Sequence, residues 1–120
     1  MLLHLNENVS RLRREHRCVG AYLYDKFDQT IARVEGLMVE PETYTLRYLV
    51  INFGGFLSIR GKRIALPAAV CEFADLGKVK TQWSQESMKD APGNIEPLGR
   101  DDEERLLAYF DLDPYWTTKT

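Results

Sequence analysis

Short strand-like runs separated by frequent turns fill the middle of this chain, and they constrain its fold more than any other feature. The turns are rich in glycine, proline and aspartate, and no long helical segment lies between one run and the next. This pattern predicts a mainly β fold, namely a small antiparallel barrel or sandwich. The runs, rich in aromatic and β-branched residues, occupy residues 19–24, 30–39, 44–53, 62–66, 69–73 and 78–83.

Two of these runs carry more specific expectations. Residues 44–53 become apolar on both faces, which is typical of a central strand. In residues 30–39, apolar side chains alternate with polar ones until Gly36 interrupts the pattern. A glycine inside a strand indicates a β-bulge, and a bulge is where a strand bends to curve a sheet.

The two ends of the chain differ from its middle. Residues 1–18 are arginine-rich, with apolar residues at a spacing close to helical, and we expect a short helix or an ordered arm. Residues 19–92 form the predicted barrel-like domain, and residues 93–120 a C-terminal helix and aromatic tail that pack on it. Ser84 is expected to cap a short helix ending near Lys89. Asp101 and Glu104 have capping-box spacing at the start of a second helix.

Composition narrows the class of protein. The chain has 120 residues, a net charge of −2 and a pI near 5.7, which does not fit a protein that mainly coats nucleic acid or an acidic membrane. Its longest apolar runs are too short to span a bilayer, so no membrane insertion is expected. Its start lacks a signal-peptide pattern, so we expect a cytoplasmic protein with Cys18 and Cys71 reduced.

No catalytic, metal-binding or cofactor-binding constellation stands out, and we expect a protein that is not an enzyme and needs no cofactor. His4 and His16 lie in the N-terminal arm without a metal-ligand pattern, which favours a surface or packing role. Cys71 lies among apolar residues and is expected in the core, and Cys18 has only one basic neighbour. The segment 55–63 is similar to a phosphate-binding loop, but five residues separate its glycines where four are required.

The same segment carries the main candidate for a partner-binding site. Apolar anchors beside basic side chains are typical of interface hot regions. The alternative is that the apolar residues plug one end of the barrel while the charges are solvated. The candidate residues are Phe56, Leu57, Arg60, Lys62 and Arg63.

A secondary candidate surface combines the basic arm with the aromatic C-terminus. Its residues are Arg11, Arg13, Arg14, Tyr115 and Trp116. For the two aromatic residues we favour docking onto their own barrel over docking onto a partner.

Several blocks, in one order along residues 19–92, resemble the PRC-barrel family. That family takes its name from the cytoplasmic domain of the photosynthetic reaction-centre H subunit, and it includes the C-terminal domain of a ribosome-maturation factor. Asp28 stands where the family usually has a turn glycine, but aspartate tolerates the left-handed conformation. The blocks are residues 34–43, 47–50, 54–57, 62–67 and 89–92, and the ending 114–116 is similar to tails of stand-alone bacterial members.

The resemblance implies a small, partly open antiparallel β-barrel that serves as an assembly or adaptor module without shared catalytic residues. The leading hypothesis is therefore a protein that binds another protein and also itself, since open barrels leave strand edges to be covered. The alternative is an RNA- or ribosome-associated factor that uses the basic residues of 11–17 and 60–63. A third hypothesis is an enzyme or small-ligand binder with a site in the barrel mouth.

Overall fold

The computed structural model describes residues 2–54, 62–75, 77–93 and 98–117. These residues form seven β-strands, two short α-helices and three single 3₁₀ turns, at Arg14–His16, Ala68–Val70 and Tyr115–Thr117. The strands are β1 (Leu3–Leu5), β2 (Tyr22–Tyr24), β3 (Thr30–Val39), β4 (Leu46–Asn52), β5 (Arg63–Pro67), β6 (Cys71–Asp75) and β7 (Lys78–Thr81). The helices are α1 (Gln85–Met88) and α2 (Arg100–Tyr109).

One curved sheet contains all seven strands, in the order β5-β4-β3-β2-β7-β6, and β1 pairs with β3 beside β2. Strand β3 is long enough to hold two partners along one edge, with β2 opposite its first half and β1 opposite its second half. Among the described residues the sheet does not close into a complete hydrogen-bonded ring, because β5 and β6 form its two ends. The predicted mainly β, partly open barrel with short C-terminal helices is confirmed.

One strand pair differs from the antiparallel prediction. Strands β2 and β7 run parallel and pair Tyr22 with Lys78 and Tyr24 with Lys80, whereas the other pairs are antiparallel. Turn residues report the direction of strands that are neighbours in sequence. They carry no information about the relative direction of β2 and β7, which are neighbours in the sheet but far apart in the sequence.

Two strands begin later than their apolar runs predict. Strand β2 starts only at Tyr22, because Gly20 adopts a φ of 90° and donates its amide to the carbonyl of Val34 in β3. Strand β4 starts only at Leu46, because Tyr44 has a φ of 56° and donates its amide to the carbonyl of Glu40, which closes a turn.

The predicted bulge at Gly36 is confirmed, and its position explains how the N-terminal arm reaches the sheet. The register of β3 against β4 shifts between Val34 and Gly36. A Cβ atom at Gly36 would lie 2.7 Å from Nε2 of His4 and 2.8 Å from the carbonyl oxygen of Leu5. Only glycine therefore lets β1 approach this closely.

The rest of the arm is ordered, as predicted, but its helical part is only the three-residue turn Arg14–His16. The ring of His16 packs edge-on against Phe73 of β6 at 4.9 Å, which confirms a packing role for this histidine. Arg17 donates to the carbonyls of Ser10 and Leu12 and so fixes the arm's path.

The core lies between the inner face of the sheet and the C-terminal helices. Strands β3 and β4 each supply more of its side chains than any other strand, which agrees with the predicted central strand, and Met88, Leu106 and Phe110 cover it from the helical side. Each such side chain contributes about 1.5–3 kcal/mol through its burial. Trp83 packs edge-on against Phe110 at 4.7 Å and joins the end of the sheet to α2.

The helix caps were predicted correctly in one case and wrongly in the other. Ser84 caps α1, and its hydroxyl accepts from the amide of Ser87 at 3.0 Å. In α2 the cap position is Gly99, whose amide donates to Oδ2 of Asp102 at 3.0 Å. The expected pair Asp101 and Glu104 is therefore wrong, because the helix begins at Arg100 and places Asp102 at the third helical position. Within the described residues, no helix is long and apolar enough to cross a membrane.

Candidate protein-interaction surface

The predicted partner-binding segment divides into a described and an undescribed part. Phe56, Leu57 and Arg60 lie outside the described residues. Lys62 directly precedes β5 and Arg63 is its first residue, and both side chains form hydrogen bonds with other parts of the chain. Lys62 donates to the carbonyl of Ala91 at 3.0 Å. The basic pair thus anchors the end of the segment, and its predicted contact with a partner stays a prediction.

Glu35 of β3 is the acceptor that holds Arg63. Its carboxylate pairs with the Arg63 guanidinium and accepts a second hydrogen bond of 2.8 Å from the Asn52 amide. Partial burial acts to raise the pKa of Glu35, but the hydrogen bonds from Asn52 and Arg63 and the charge of Arg63 outweigh it and lower that pKa. This carboxylate is therefore charged at neutral pH, and it ties β3, β4 and β5 together.

An open groove of about 510 Å³ lies beside this anchor, bordered by the start of β2, the middle of β3 and the end of β4. It has both apolar walls and charged groups, the mixture that suits recognition of another molecule. Gly54, the last described residue before the predicted loop, is part of its lining. The lining residues are Val19, Gly20, Tyr22, Arg33, Val34, Glu35, Asn52 and Gly54.

The groove continues onto the outer face of β3, β2 and β7, which we call the aromatic–basic face. Its strand residues are Tyr22, Tyr24, Arg33, Lys78 and Lys80, and it includes Lys26 and Phe27 of the turn that follows β2. Cross-strand pairing sets Arg33, Tyr22 and Lys78 in one row. Phe27 and Tyr22 are 73% and 43% exposed, whereas most large apolar side chains of the described chain are buried.

Sequence reasoning missed this face. The alternation of Lys78 and Lys80 with Val79 is visible in the sequence, as is that of Tyr22 and Tyr24 with Leu23. Each pattern signals one solvent-facing side of one strand. The two sides form a common surface only through the parallel β2–β7 pair, for which the sequence carries no local signal.

A carboxylate already occupies part of the aromatic–basic face. Asp28, in the turn after β2, lies 2.8 Å from Nζ of Lys80 and 3.6 Å from Nζ of Lys78. The hydrogen bond from Lys80, followed by the charge of Lys78, lowers the pKa of Asp28. As expected, Asp28 adopts the left-handed conformation, with a φ of 61°.

The arginines of the secondary candidate surface do not form one site, because each has different neighbours. Arg11 donates to the carbonyl of Glu42 at 3.3 Å and lies 4.0 Å from the ring centre of Tyr44. Arg13 forms an exposed ion pair with Glu15 at 3.2 Å. Arg14 lines a smaller groove of about 250 Å³ that also includes Lys78 of the aromatic–basic face.

The two aromatic residues of that surface dock on their own domain, which confirms the favoured interpretation. The Tyr115 hydroxyl donates to Oε1 of Glu103 at 2.6 Å, and Arg47 lies over the Tyr115 ring at 4.1 Å. Arg100 covers the ring of Trp116 at 3.9 Å. These contacts fix the C-terminal turn against β4 and α2.

The thiols offer little nucleophilic chemistry at neutral pH. Burial raises the pKa of Cys18 to about 12 and also raises the pKa of Cys71. Cys71 is partly buried and packs against the core, in line with its predicted position. Its thiol lies 3.6 Å from the carbonyl oxygen of Pro67. Among the described residues, no three histidine, cysteine, aspartate or glutamate side chains cluster as metal ligands.

Comparison with known proteins identifies the family. No curated protein matches the chain. The family model of the PRC-barrel domain matches residues 14–81, which is more than half of the chain and includes β2 to β7. With a partly open barrel of the expected strand content, this match shows that the chain belongs to the PRC-barrel family.

Proposed function

We propose that this PRC-barrel protein is a non-enzymatic adaptor that binds a protein partner at the groove bordered by the start of β2, the middle of β3 and the end of β4. The observation that carries the proposal is the exposure of Tyr22 beside an open groove of about 510 Å³. Exposed aromatic side chains next to charged groups are typical of interface centres. Gly54 lines the groove and, in the sequence, comes shortly before Phe56, Leu57 and Arg60, which are predicted to bind the partner.

The anchoring of Lys62 and Arg63 supports the same location. An interface segment binds more tightly when its ends are held in place, because less conformational entropy is lost on binding. The bonds from Lys62 to Ala91 and from Arg63 to Glu35 hold one end of the segment. We further propose the cytoplasm as its compartment, which the two free cysteines support because thiols persist in reducing surroundings.

The experiment is a tagged pull-down from native lysate with and without nuclease, followed by binding measurements on the purified partner. We expect Phe56→Ala combined with Arg60→Ala to weaken capture of a nuclease-resistant partner while barely changing the melting temperature. The matched control replaces another aromatic–arginine pair, Trp116→Ala with Arg100→Ala, and should retain capture.

Two outcomes would overturn the proposal. Collapse of folding in the Phe56→Ala, Arg60→Ala variant would make that segment part of the core rather than an interface. Loss of all bound material on nuclease treatment would favour the RNA-associated alternative, in which the basic residues of the arm contact phosphates. Light scattering of the purified protein decides separately whether it also binds a second copy of itself.

A further inference from the structure

We propose that the aromatic–basic face recognises an acidic segment of a protein partner, with carboxylates on its cations and apolar side chains against Tyr22 and Phe27. This inference rests on the proposed adaptor function and specifies the chemistry of the partner. It concerns the outer face of β3, β2 and β7, which adjoins the groove and shares no residue with the segment 55–63.

The arrangement of the face follows from its strand register. Arg33, Tyr22 and Lys78 lie side by side on three adjacent strands, and Tyr24 lies beside Lys80 in the next row. Neighbouring side chains on one face of a sheet are about 5 Å apart, so each aromatic ring has a cation beside it. A segment lying across these rows would contact rings and charges together.

The charge of the face is opposite to that of the whole chain. The protein has a net charge of −2. On the face, however, there are four cations, and the described carboxylates beside them are Asp28, which pairs with Lys78 and Lys80, and Glu72 of β6, which is opposite Lys80 in the register. Within the described part of the chain, no carboxylate lies within ion-pair distance of Arg33 or Lys26. These two exposed cations therefore keep their capacity to pair with an incoming anion.

The position of Asp28 shows which anion this face accommodates. Its carboxylate sits between Lys80 and Lys78, at 2.8 and 3.6 Å. The two lysines thus already bind a carboxylate from their own chain, and an aspartate or glutamate of a partner would form the same kind of ion pair with Arg33 or with Lys26.

The aromatic rings favour a protein over a nucleic acid. Lys78 lies 4.8 Å from the ring centre of Tyr24, and Lys26 lies 5.4 Å from that of Phe27. A base stacks on an open ring face. A lysine over the ring covers one of its two faces, which reduces the area on which a base could stack.

The exposure of Phe27 and Tyr22 indicates that the acidic segment also carries apolar residues. At 73% and 43% exposed, they are the most exposed large hydrophobic side chains among the described residues. Carboxylates alone would leave this area in contact with water. A segment that alternates acidic and apolar residues would cover both the charges and the rings.

The test measures binding of a random glutamate–tyrosine copolymer to the full chain, next to polyglutamate and a single-stranded uridine-rich RNA. We expect the copolymer to bind most tightly and to shift the backbone amide resonances of β2 and β7. Lys26→Glu combined with Arg33→Glu should weaken this binding by about tenfold or more, and added salt should weaken it as well.

The matched control reverses two cations on the helical side, Lys89→Glu with Arg105→Glu, and should bind the copolymer like the native chain. If Lys26→Glu with Arg33→Glu impairs folding, Lys26→Gln with Arg33→Gln provides the same comparison, with a smaller expected loss of affinity for the copolymer. Equal binding by face and control variants, absence of copolymer binding, or tighter binding of the RNA through the same residues would each overturn the inference.

Failure of this inference is distinguishable from failure of the adaptor proposal. If Phe56→Ala with Arg60→Ala abolishes capture of the cellular partner while Lys26→Glu with Arg33→Glu leaves it unchanged, the adaptor proposal stands and the acidic-segment inference is wrong. If neither double variant affects capture, both are wrong.

Discussion

The hydroxyl of Tyr48 donates a hydrogen bond of 2.9 Å to Oε1 of Glu103, and so joins the central strand β4 to helix α2. Glu103 is only 4% exposed, and its Oε1 also accepts from Tyr115. A buried carboxylate is tolerated when its charge is hydrogen-bonded, since desolvation alone would strongly disfavour it. Glu103 is therefore the common hydrogen-bond acceptor through which helix α2 and the C-terminal turn are attached to the barrel.

Replacement of this acceptor should destabilise the fold. We expect Glu103→Ala to lower the free energy of unfolding by about 3 kcal/mol, because the buried hydroxyl of Tyr48 and the partly buried hydroxyl of Tyr115 lose their acceptor and a small cavity remains. Denaturant unfolding monitored by tryptophan fluorescence measures the change. Glu104→Ala, at the exposed neighbouring position of α2, is the control and should change stability by less than about 0.5 kcal/mol. Equal losses in the two variants would contradict the role assigned to Glu103.

Alkaline pH should weaken the hydrogen bond between Tyr48 and Glu103. Burial, followed by the charge of Glu103, raises the pKa of Tyr48 well above its ordinary value near 10. The neutral hydroxyl is thus favoured in the folded state, so its contribution is complete below about pH 10 and is lost as pH rises from there towards the folded-state pKa. The free energy of unfolding should fall with pH in this range.

Tyr48→Phe isolates this contribution. The variant should be less stable at pH 7 because Glu103 loses a donor, but its loss of stability above pH 10 should be shallower by up to about 1.4 kcal/mol per pH unit. Urea unfolding at a series of pH values provides both quantities. Parallel pH dependences of the native chain and the variant would show that Tyr48 does not titrate differently in the folded state.

Much of the barrel could be predicted from local patterns. The alternation in residues 30–39 matched strand β3 at both ends, and Gly36 marked its bulge. Ser84 was recognised as a cap because its signal depends only on the following turn of chain. Each of these features is encoded within about ten residues, where periodicity and turn chemistry act directly.

The aromatic–basic face could not be predicted in that way. Strands β2 and β7 have three and four residues, too few for a strong pattern, and the parallel pairing of Tyr22 with Lys78 joins distant parts of the chain. The left-handed Tyr44 likewise shortened a strand without a sequence signal, because a non-glycine residue with positive φ depends on its surroundings. The β2–β7 pairing and the conformation of Tyr44 thus depend on contacts between residues that are distant in the sequence, which local patterns do not encode.

Gly36 provides a test of how the N-terminal arm is held. Gly36→Ala would place a methyl group 2.7 Å from His4 and 2.8 Å from the Leu5 carbonyl, closer than such atoms can approach. We expect β1 to be displaced from β3, with a loss of about 1–3 kcal/mol in the free energy of unfolding. Hydrogen exchange should accelerate at the amides of β1.

Gly93→Ala is the control for this substitution. There the added methyl group would meet the Arg63 carbonyl at 3.4 Å, which is close to ordinary van der Waals contact. We expect little change in stability and none in exchange at β1. If Gly36→Ala retained native exchange protection in residues 3–5, the close approach of β1 would not depend on the absence of a side chain.

The ion pair between Arg63 and Glu35 separates an anchoring role from a direct partner contact. Both side chains are 38% exposed, so solvent screens the pair, and we expect Arg63→Ala and Glu35→Ala each to lower stability by only about 0.5–1 kcal/mol. Because each removes the same anchor, the double variant should lose less than the sum of the two. Denaturant unfolding of the four proteins measures this coupling.

Partner capture by the same four proteins decides how Arg63 acts. If Arg63 works by holding the end of the interface segment, Arg63→Ala and Glu35→Ala should weaken capture to a similar extent, since either change releases that end. If Arg63 instead contacts the partner, Arg63→Ala alone should weaken capture, and Glu35→Ala should leave it intact or strengthen it by freeing the guanidinium. We expect the first result, because the Arg63 guanidinium is already paired with Glu35 of its own chain.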